Sequence, residues 1–204
     1  MTQKPPLYDR FAGRYDGVMR PLERWLVARL RVAAFGELRG GGGDGGGQLL
    51  EVGAGTGANF AHYAPGTRGA ACELSREMLR RAGAKARPAG VRLVQTRAEQ
   101  LPFADAVFDA ALATLVFCSV ESPAAGLAEM RRVVRPGGRV VLIEHVRPAN
   151  FLGPVFDALS LLTVPFLEDH FNRRTAEEAA RAGLRVRRVE GHALGVVQLI
   201  VCEV

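Results

Sequence analysis

From Gln48 onward, short apolar runs alternate with stretches whose apolar residues recur at helical spacing. The runs predict strands over 48–53, 69–73, 91–95, 107–114 and 139–145, and helices over 56–63, 75–86, 123–134 and 175–183. Strand–helix alternation at this spacing predicts an α/β fold, a mostly parallel sheet with helices on both faces. Pro136-Gly137-Gly138 is a turn that stops one helix and launches the next strand. Two β-branched runs, 184–190 and 196–203, are joined by Gly191 to Gly195 and read as a hairpin. The last strand is therefore expected to run antiparallel to its neighbours, and it brings the sheet to seven strands.

Ahead of this region, Leu7 to Leu38 carries Trp25, Leu26, Leu30, Ala33 and Ala34 at helical intervals. Pro21 suits the first turn of a helix there. Gly40 to Gly47, interrupted only by Asp44, reads as a connector. A phosphate loop would need a strand before it and a Lys-Ser/Thr pair after it, and neither is present. The expected division is a helical lid over 1–39, the connector over 40–47 and one domain over 48–204, with a cap segment over 147–174.

Composition alters this outline little. The chain has 204 residues, 48% of them hydrophobic and 24% charged, which suits one globular domain. The charge matters more: 27 basic against 21 acidic residues leave +6, a balance that admits nucleic acid, anionic lipid or an anionic small molecule as partner. Three scattered cysteines, Cys72, Cys118 and Cys202, form neither a disulfide framework nor a zinc site, and no metal is expected. No apolar signal core opens the sequence, and no apolar stretch of about 18 residues exists. A cytoplasmic location is expected, with peripheral contact at a membrane as an alternative.

The sharpest chemical signal is Glu51-Val-Gly53-Ala54-Gly55-Thr56-Gly57, a buried strand running into a glycine-rich turn. Glycines let the backbone curl and let a ligand approach with no Cβ in the way. The spacing is not the dinucleotide pattern, and Glu51 is a poor neighbour for a pyrophosphate but a good one for an ammonium group. That points to S-adenosylmethionine, with its zwitterionic amino-acid end and cationic sulfonium. Glu73 follows about twenty residues later at a strand end, where a ribose-binding acid belongs.

The segments LLEVGAGTGANF, CELSREML, AEQLPFADAVFDAAL and EMRRVVRPGGRVVLIEHV, in that order, resemble a class I S-adenosylmethionine-dependent methyltransferase. Within that superfamily they are similar to the ubiquinone/menaquinone C-methyltransferases, the bacterial phosphatidylethanolamine N-methyltransferases and the thiol S-methyltransferases. The resemblance implies a Rossmann-like sheet. It also implies that Gly53, Gly55 and the backbone of Ala54 and Thr56 border the methionine portion, with Glu51 facing its amino group through water. Glu73 would take the ribose hydroxyls, Leu74 would pack on the adenine and Ala98 would offer its N–H to the ring. Relatives often carry an Asp where this chain has Arg97, which has no acceptor; either Glu99 or a backbone carbonyl receives the adenine amino group, or that contact is lost. Thr114 and Leu115 would line the methyl-donor side, and Tyr15 would contact the cofactor from a lid. Asp109, at the start of its strand, is expected to be structural.

The acceptor side is less marked. His145 ends the fifth strand on the ligand-binding side, and an imidazole can take a proton from a thiol, amine or ring carbon. Asp169 and His170 fall in an irregular stretch expected to cover the acceptor pocket. Methyl transfer displaces an already activated carbon, so proximity and in-line orientation can supply much of the acceleration without a protein base, and whether one is used stays open at the sequence level. Residues 151–167 are the most apolar segment, read as a cap over an apolar pocket or as a membrane contact. These features predict methyl transfer to a small or lipophilic acceptor: a thiol, a quinone-like ring or a phospholipid amine. The alternatives are an RNA methyltransferase and a non-catalytic cofactor-binding scaffold. Nucleic acid is disfavoured, because no base-flipping motif, zinc knuckle or lysine-rich arm is present.

Overall fold

The computed structural model describes residues 7–39, 47–167 and 170–204. The connector at 40–46 and Asp169 lie outside the described residues.

Seven strands form one sheet: β1 (Gln48–Val52), β2 (Arg68–Glu73), β3 (Gly90–Gln95), β4 (Phe108–Thr114), β5 (Val134–His145), β6 (Arg185–His192) and β7 (Val197–Glu203). Their spatial order is β3-β2-β1-β4-β5-β7-β6. Neighbours are parallel from β3 across to β5, whereas β7 runs antiparallel to both β5 and β6. The hairpin and the reversed final strand therefore stand as the sequence predicts.

Alternation along the strands builds two cores. Ala111 and Ala113 of β4 with Val140 and Leu142 of β5 face a cluster shared with α4 (Pro123–Val133) and α6 (Thr175–Arg181), through Leu127, Met130 and Ala179. Ala110, Leu112, Val141 and Ile143 face the other way, onto Leu30, Ala34 and Phe35 of α2 (Ala28–Arg39) and Ala82 of α3 (Arg76–Gly83). Side chains that point alternately to two buried faces need near-continuous apolar strands, as in a parallel sheet covered by helices. Ser75 caps α3 by accepting from the Met78 N–H, and Ser122 caps α4 from Ala125 N–H.

Two expectations are corrected. The helix predicted over 56–63 is instead a run of turns closed by a single 3-10 turn, Phe60–His62. Gly53, Gly55 and Gly57 all adopt positive φ, which carries the left-handed turn past the start of the expected helix. Pro21 lies near the end of α1 (Leu7–Leu22), not in a first helical turn. A π-helical turn, Glu23–Val27, follows it and continues directly into α2. Proline has no N–H to give the preceding turn, and the hydrogen-bond ladder widens there.

Asp109 accepts from Gln48 N–H at 2.6 Å and pairs with Arg135 at 2.9 Å, so it ties the starts of β1 and β5 together at the end remote from the cleft described below. The last apolar helix, α5 (Gly153–Leu167), leaves Phe151 just before it, Val155 and Leu161 exposed. Among the described residues no helix is long and apolar enough to cross a membrane.

Leu112 is fully buried on β4, the central strand. Leu112→Ala should cost about 2–5 kcal/mol, read as a lowered midpoint in urea unfolding with unchanged m-value.

Candidate active site

The order of the sheet decides where a ligand can sit. β1 has β2 on one side and β4 on the other, so the connections leaving β1 and β4 part company, and a crevice opens at their carboxyl ends. A cavity of about 250 Å³ lies at this point, bounded by residues from 52–55, 72–78, 96–99 and 114–121 together with Tyr8 and Tyr15.

Its floor is the glycine turn. At Gly53, φ is +67° and an added Cβ would lie 2.3 Å from Val116, so no side chain fits. At Gly55, φ is +55° and an added Cβ would meet nothing within 4 Å, because it would project into the open cleft. The first glycine makes room for the protein and the second keeps the ligand side clear.

Glu73 stands at the rim. Its carboxylate accepts from Gly55 N–H at 2.9 Å and Ser75 N–H at 2.8 Å, which locks the glycine turn to the start of α3. Burial raises its proton affinity, and the backbone N–H groups partly offset that rise. A carboxylate has about four acceptor positions, so capacity remains on Glu73 for a ligand hydroxyl beside its backbone partners. Beside it, Leu74, Met78 and Ala98 give an apolar slot suited to a flat base.

The opposite wall is Thr114, Leu115 and Val116. Leu115 adopts φ +55°, unusual for a residue with a Cβ. The fully buried Glu144 holds the loop in place, accepting from Val116 N–H at 3.0 Å and Phe117 N–H at 3.2 Å, while Leu115 N–H bonds Ile143 O at 2.7 Å.

The N-terminal helix covers the cleft. Tyr8 and Tyr15, seven residues apart and edge to face at 6.2 Å, both line it. Their neighbours Asp9 and Asp16 fasten the helix. Asp9 receives the Ser75 hydroxyl and the Glu77 N–H, the latter at 3.2 Å. Asp16 receives the Thr56 hydroxyl at 2.5 Å and Lys85 Nζ at 3.0 Å. Burial pushes the Tyr15 phenol up to about 12, so it is a neutral donor at ordinary pH.

Of the residues singled out from sequence, Tyr15, Gly53, Gly55, Glu73, Leu74, Ala98, Glu99, Thr114 and Leu115 come together around the cleft. Glu51, Ala54 and Thr56 lie outside its lining. Ala54 spends its N–H on Cys72 O at 2.8 Å, and Thr56 turns to Asp16. Glu51 is 1% exposed, bound by Asn59 Nδ2 at 2.8 Å and by the Tyr63 hydroxyl, and burial pushes it up to about 6. Arg97 swings to the rim, 2.5 Å from Glu121, and Glu99 accepts from Ser122 N–H at 3.1 Å. His145 sits apart, stacked on Phe171 at 4.6 Å, with Phe156 edge-on beyond. His170 N–H bonds Cys118 O at 2.9 Å, joining that aromatic group to the loop behind the cleft wall. Sequence reasoning passed over Asn59, Glu144, Arg31 and the two aspartates. The repeat Tyr8-Asp9 and Tyr15-Asp16 at a seven-residue interval was a usable signal, as was an arginine on the apolar stripe of α2. Among the described residues no cluster of His, Cys, Asp or Glu is arranged to hold a metal ion.

The donor set fits S-adenosylmethionine: a carboxylate for hydroxyls, an apolar slot for a base, a side-chain-free turn and acidic surroundings for cationic groups. Comparison with known proteins agrees. Residues 50–142 match the methyltransferase domain family. The chain is 31% identical over 200 residues to the ubiquinone/menaquinone biosynthesis C-methyltransferase UbiE of Desulfotalea psychrophila, covering 94% of this chain and 77% of that protein. It is 34% identical to a phosphatidylethanolamine N-methyltransferase of Cereibacter sphaeroides, covering 64% and 68%, and 40% identical to a human thiol S-methyltransferase, covering 69% and 60%. The matches thus span between about 60% and 77% of the length of these curated relatives. In fold, a SAM-dependent methyltransferase from Thermotoga maritima superposes with a TM-score of 0.68 at 22% identity, over 96% of this chain and 97% of that one. The chain belongs to the S-adenosylmethionine-dependent methyltransferases.

Replacing Glu73 by Ala removes the hydroxyl acceptor and leaves two N–H groups unpaired. Calorimetric titration with S-adenosylhomocysteine should show binding weakened about 10- to 100-fold, equivalent to about 1.5–3 kcal/mol, with the far-ultraviolet circular dichroism retained.

Proposed function

We propose that this chain transfers the methyl group of S-adenosylmethionine to a small lipophilic acceptor, with a thiol, a quinone-like ring or a phospholipid amine as candidate classes. The observation that carries this is the character of the far wall. Leu115, Val116 and Val120 present apolar surface to the cleft, and the loop they belong to is bonded through His170 to the His145–Phe171–Phe156 group. The relatives named above supply the acceptor classes: quinone precursor, phosphatidylethanolamine and thiol.

The bound cofactor supplies a methyl group already activated on a sulfonium. What is left to the protein is placement and the exclusion of water. In this reading Glu73 and the Leu74–Ala98 slot hold the adenosyl end, and the turn at Gly53 and Gly55 gives the amino-acid end its space. Thr114 and Leu115 border the reacting carbon, and Leu115 is kept in its left-handed conformation by the bonds on either side of it. Tyr8 and Tyr15 close the cleft from above as a lid. His145 and His170, with Asp169, are assigned to the acceptor side, where His145 orients the acceptor or takes its proton. Segment 147–174 acts as the cap. Phe151 at 81% exposure and Leu161 at 78% support peripheral contact with a membrane, from which a lipophilic acceptor could enter.

Incubation with S-adenosylmethionine carrying a radiolabelled methyl, against panels of thiols, quinols and phospholipids, tests the reading. Label should pass to members of one panel, and His145→Asn should lower kcat about 10-fold or more while leaving S-adenosylhomocysteine affinity unchanged. No transfer to any panel, with the cofactor product still bound, would favour a scaffold. Transfer to RNA would move the assignment to nucleic acid.

A further inference from the structure

One buried polar chain is unused by the reading above. Arg31 projects from α2 and is 7% exposed. Its Nε and one terminal nitrogen fork onto the Glu23 carboxylate at 2.8 and 3.1 Å, and the other terminal nitrogen donates to Asn59 Oδ1. Asn59, 2% exposed, passes the link on: its Nδ2 donates to Glu51 Oε1 at 2.8 Å and to Thr114 Oγ1 at 3.2 Å. One amide side chain thus ties a helix to the acid below the glycine turn and to the hydroxyl at the methyl-donor wall.

The π-helical turn makes this possible. Glu23 and Arg31 are eight residues apart, which in a regular α-helix would set them about 80° apart around the axis. The wider turn over Glu23–Val27 takes up part of that rotation, so both point to the same side. Arginine is suited to the position, since its planar fork holds Glu23 with two bonds and still has a donor for Asn59. A charge on the buried stripe of a helix is costly unless it is paired, and both ends of this chain are carboxylates.

We infer that Arg31 and Asn59 are positioning residues for the amino-acid end of the cofactor, and that through them α2 and the π-helical turn before it tune the charge of Glu51. This rests on the cleft being an S-adenosylmethionine site. Glu51 is faced by Asn59 and Tyr63 from the loop after β1, by Arg31 from α2 through Asn59, and by Glu73 and Cys72 from β2. Arg31 favours the ionised form of Glu51, whereas burial and Glu73 oppose it. An ionised Glu51 attracts the cationic end of the cofactor, and a protonated one does not. Cofactor affinity should therefore fall as pH drops through Glu51's titration, and the midpoint should follow the charge at Arg31.

The test is calorimetric binding of S-adenosylhomocysteine, which keeps the ammonium group, between pH 5 and 8.5. Wild type should weaken below about pH 6. Arg31→Gln should move that midpoint upward, with about a tenfold loss below it for each pH unit moved. Arg31→Lys should keep the wild-type midpoint. Glu23→Gln is a partly exposed and milder change, available even if Arg31→Gln fails to fold. It removes the counter-charge on Arg31 and should move the midpoint down. Amide hydrogen exchange adds a readout free of pH: product binding should slow exchange around Arg31 in wild type and not in Asn59→Ala. A midpoint indifferent to both charge changes overturns the inference while leaving the cofactor site standing. Absence of binding in wild type overturns the site itself.

Discussion

Three glutamates at the carboxyl ends of strands hold the shape of this cleft. Glu73 on β2 grips two backbone N–H groups, one in the glycine turn and one at the start of α3. Glu144 on β5 grips two more, in the loop after β4. Glu51 on β1 is held by Asn59 and Tyr63. Loops beyond a parallel sheet have N–H groups with no ladder to join, and a buried group left unbonded is costly. Carboxylates at the strand ends answer that need and fix the loops to within hydrogen-bond distance. Of the three, Glu73 alone lines the crevice, so the acid that fixes the glycine turn is also the one a ligand meets.

Much of this fold is legible from apolar periodicity, because strands buried on both faces leave near-continuous runs such as Val140 to Ile143, and the reversed hairpin is marked by its own glycines. The cleft lining is legible in part: Glu73 from its place at a strand end after the glycine turn, Thr114 only through the family resemblance. What is hidden depends on side chains that meet across the fold. Nothing local says that Asn59 touches Arg31, 28 residues away and on another element, or that Asp16 would claim the Thr56 hydroxyl. The helix expected over 56–63 fails for a local reason: periodicity does not register that successive glycines have gone left-handed. Pro21 misleads in the opposite direction, since it starts many helices and here sits where one widens.

The acceptor side is the least legible from either view. His145, at the end of β5, and Phe171 stack behind the loop that forms the wall, with Phe156 edge-on beyond, and backbone bonds such as Arg147 N–H to Arg173 O at 2.9 Å run beside these ring contacts.

The helix over the cleft is fastened at two points of different electrical kind. At Asp16 the partners are the Thr56 hydroxyl and Lys85, and the lysine and aspartate side chains are well exposed, so salt screens that part of the hold. At Asp9 the partners are a hydroxyl and a backbone N–H, whose hold depends little on ionic strength. Rising salt loosens one fastening and spares the other. High ionic strength thus weakens the Lys85 contact and leaves the helix held by the hydroxyl and N–H bonds of its two aspartates.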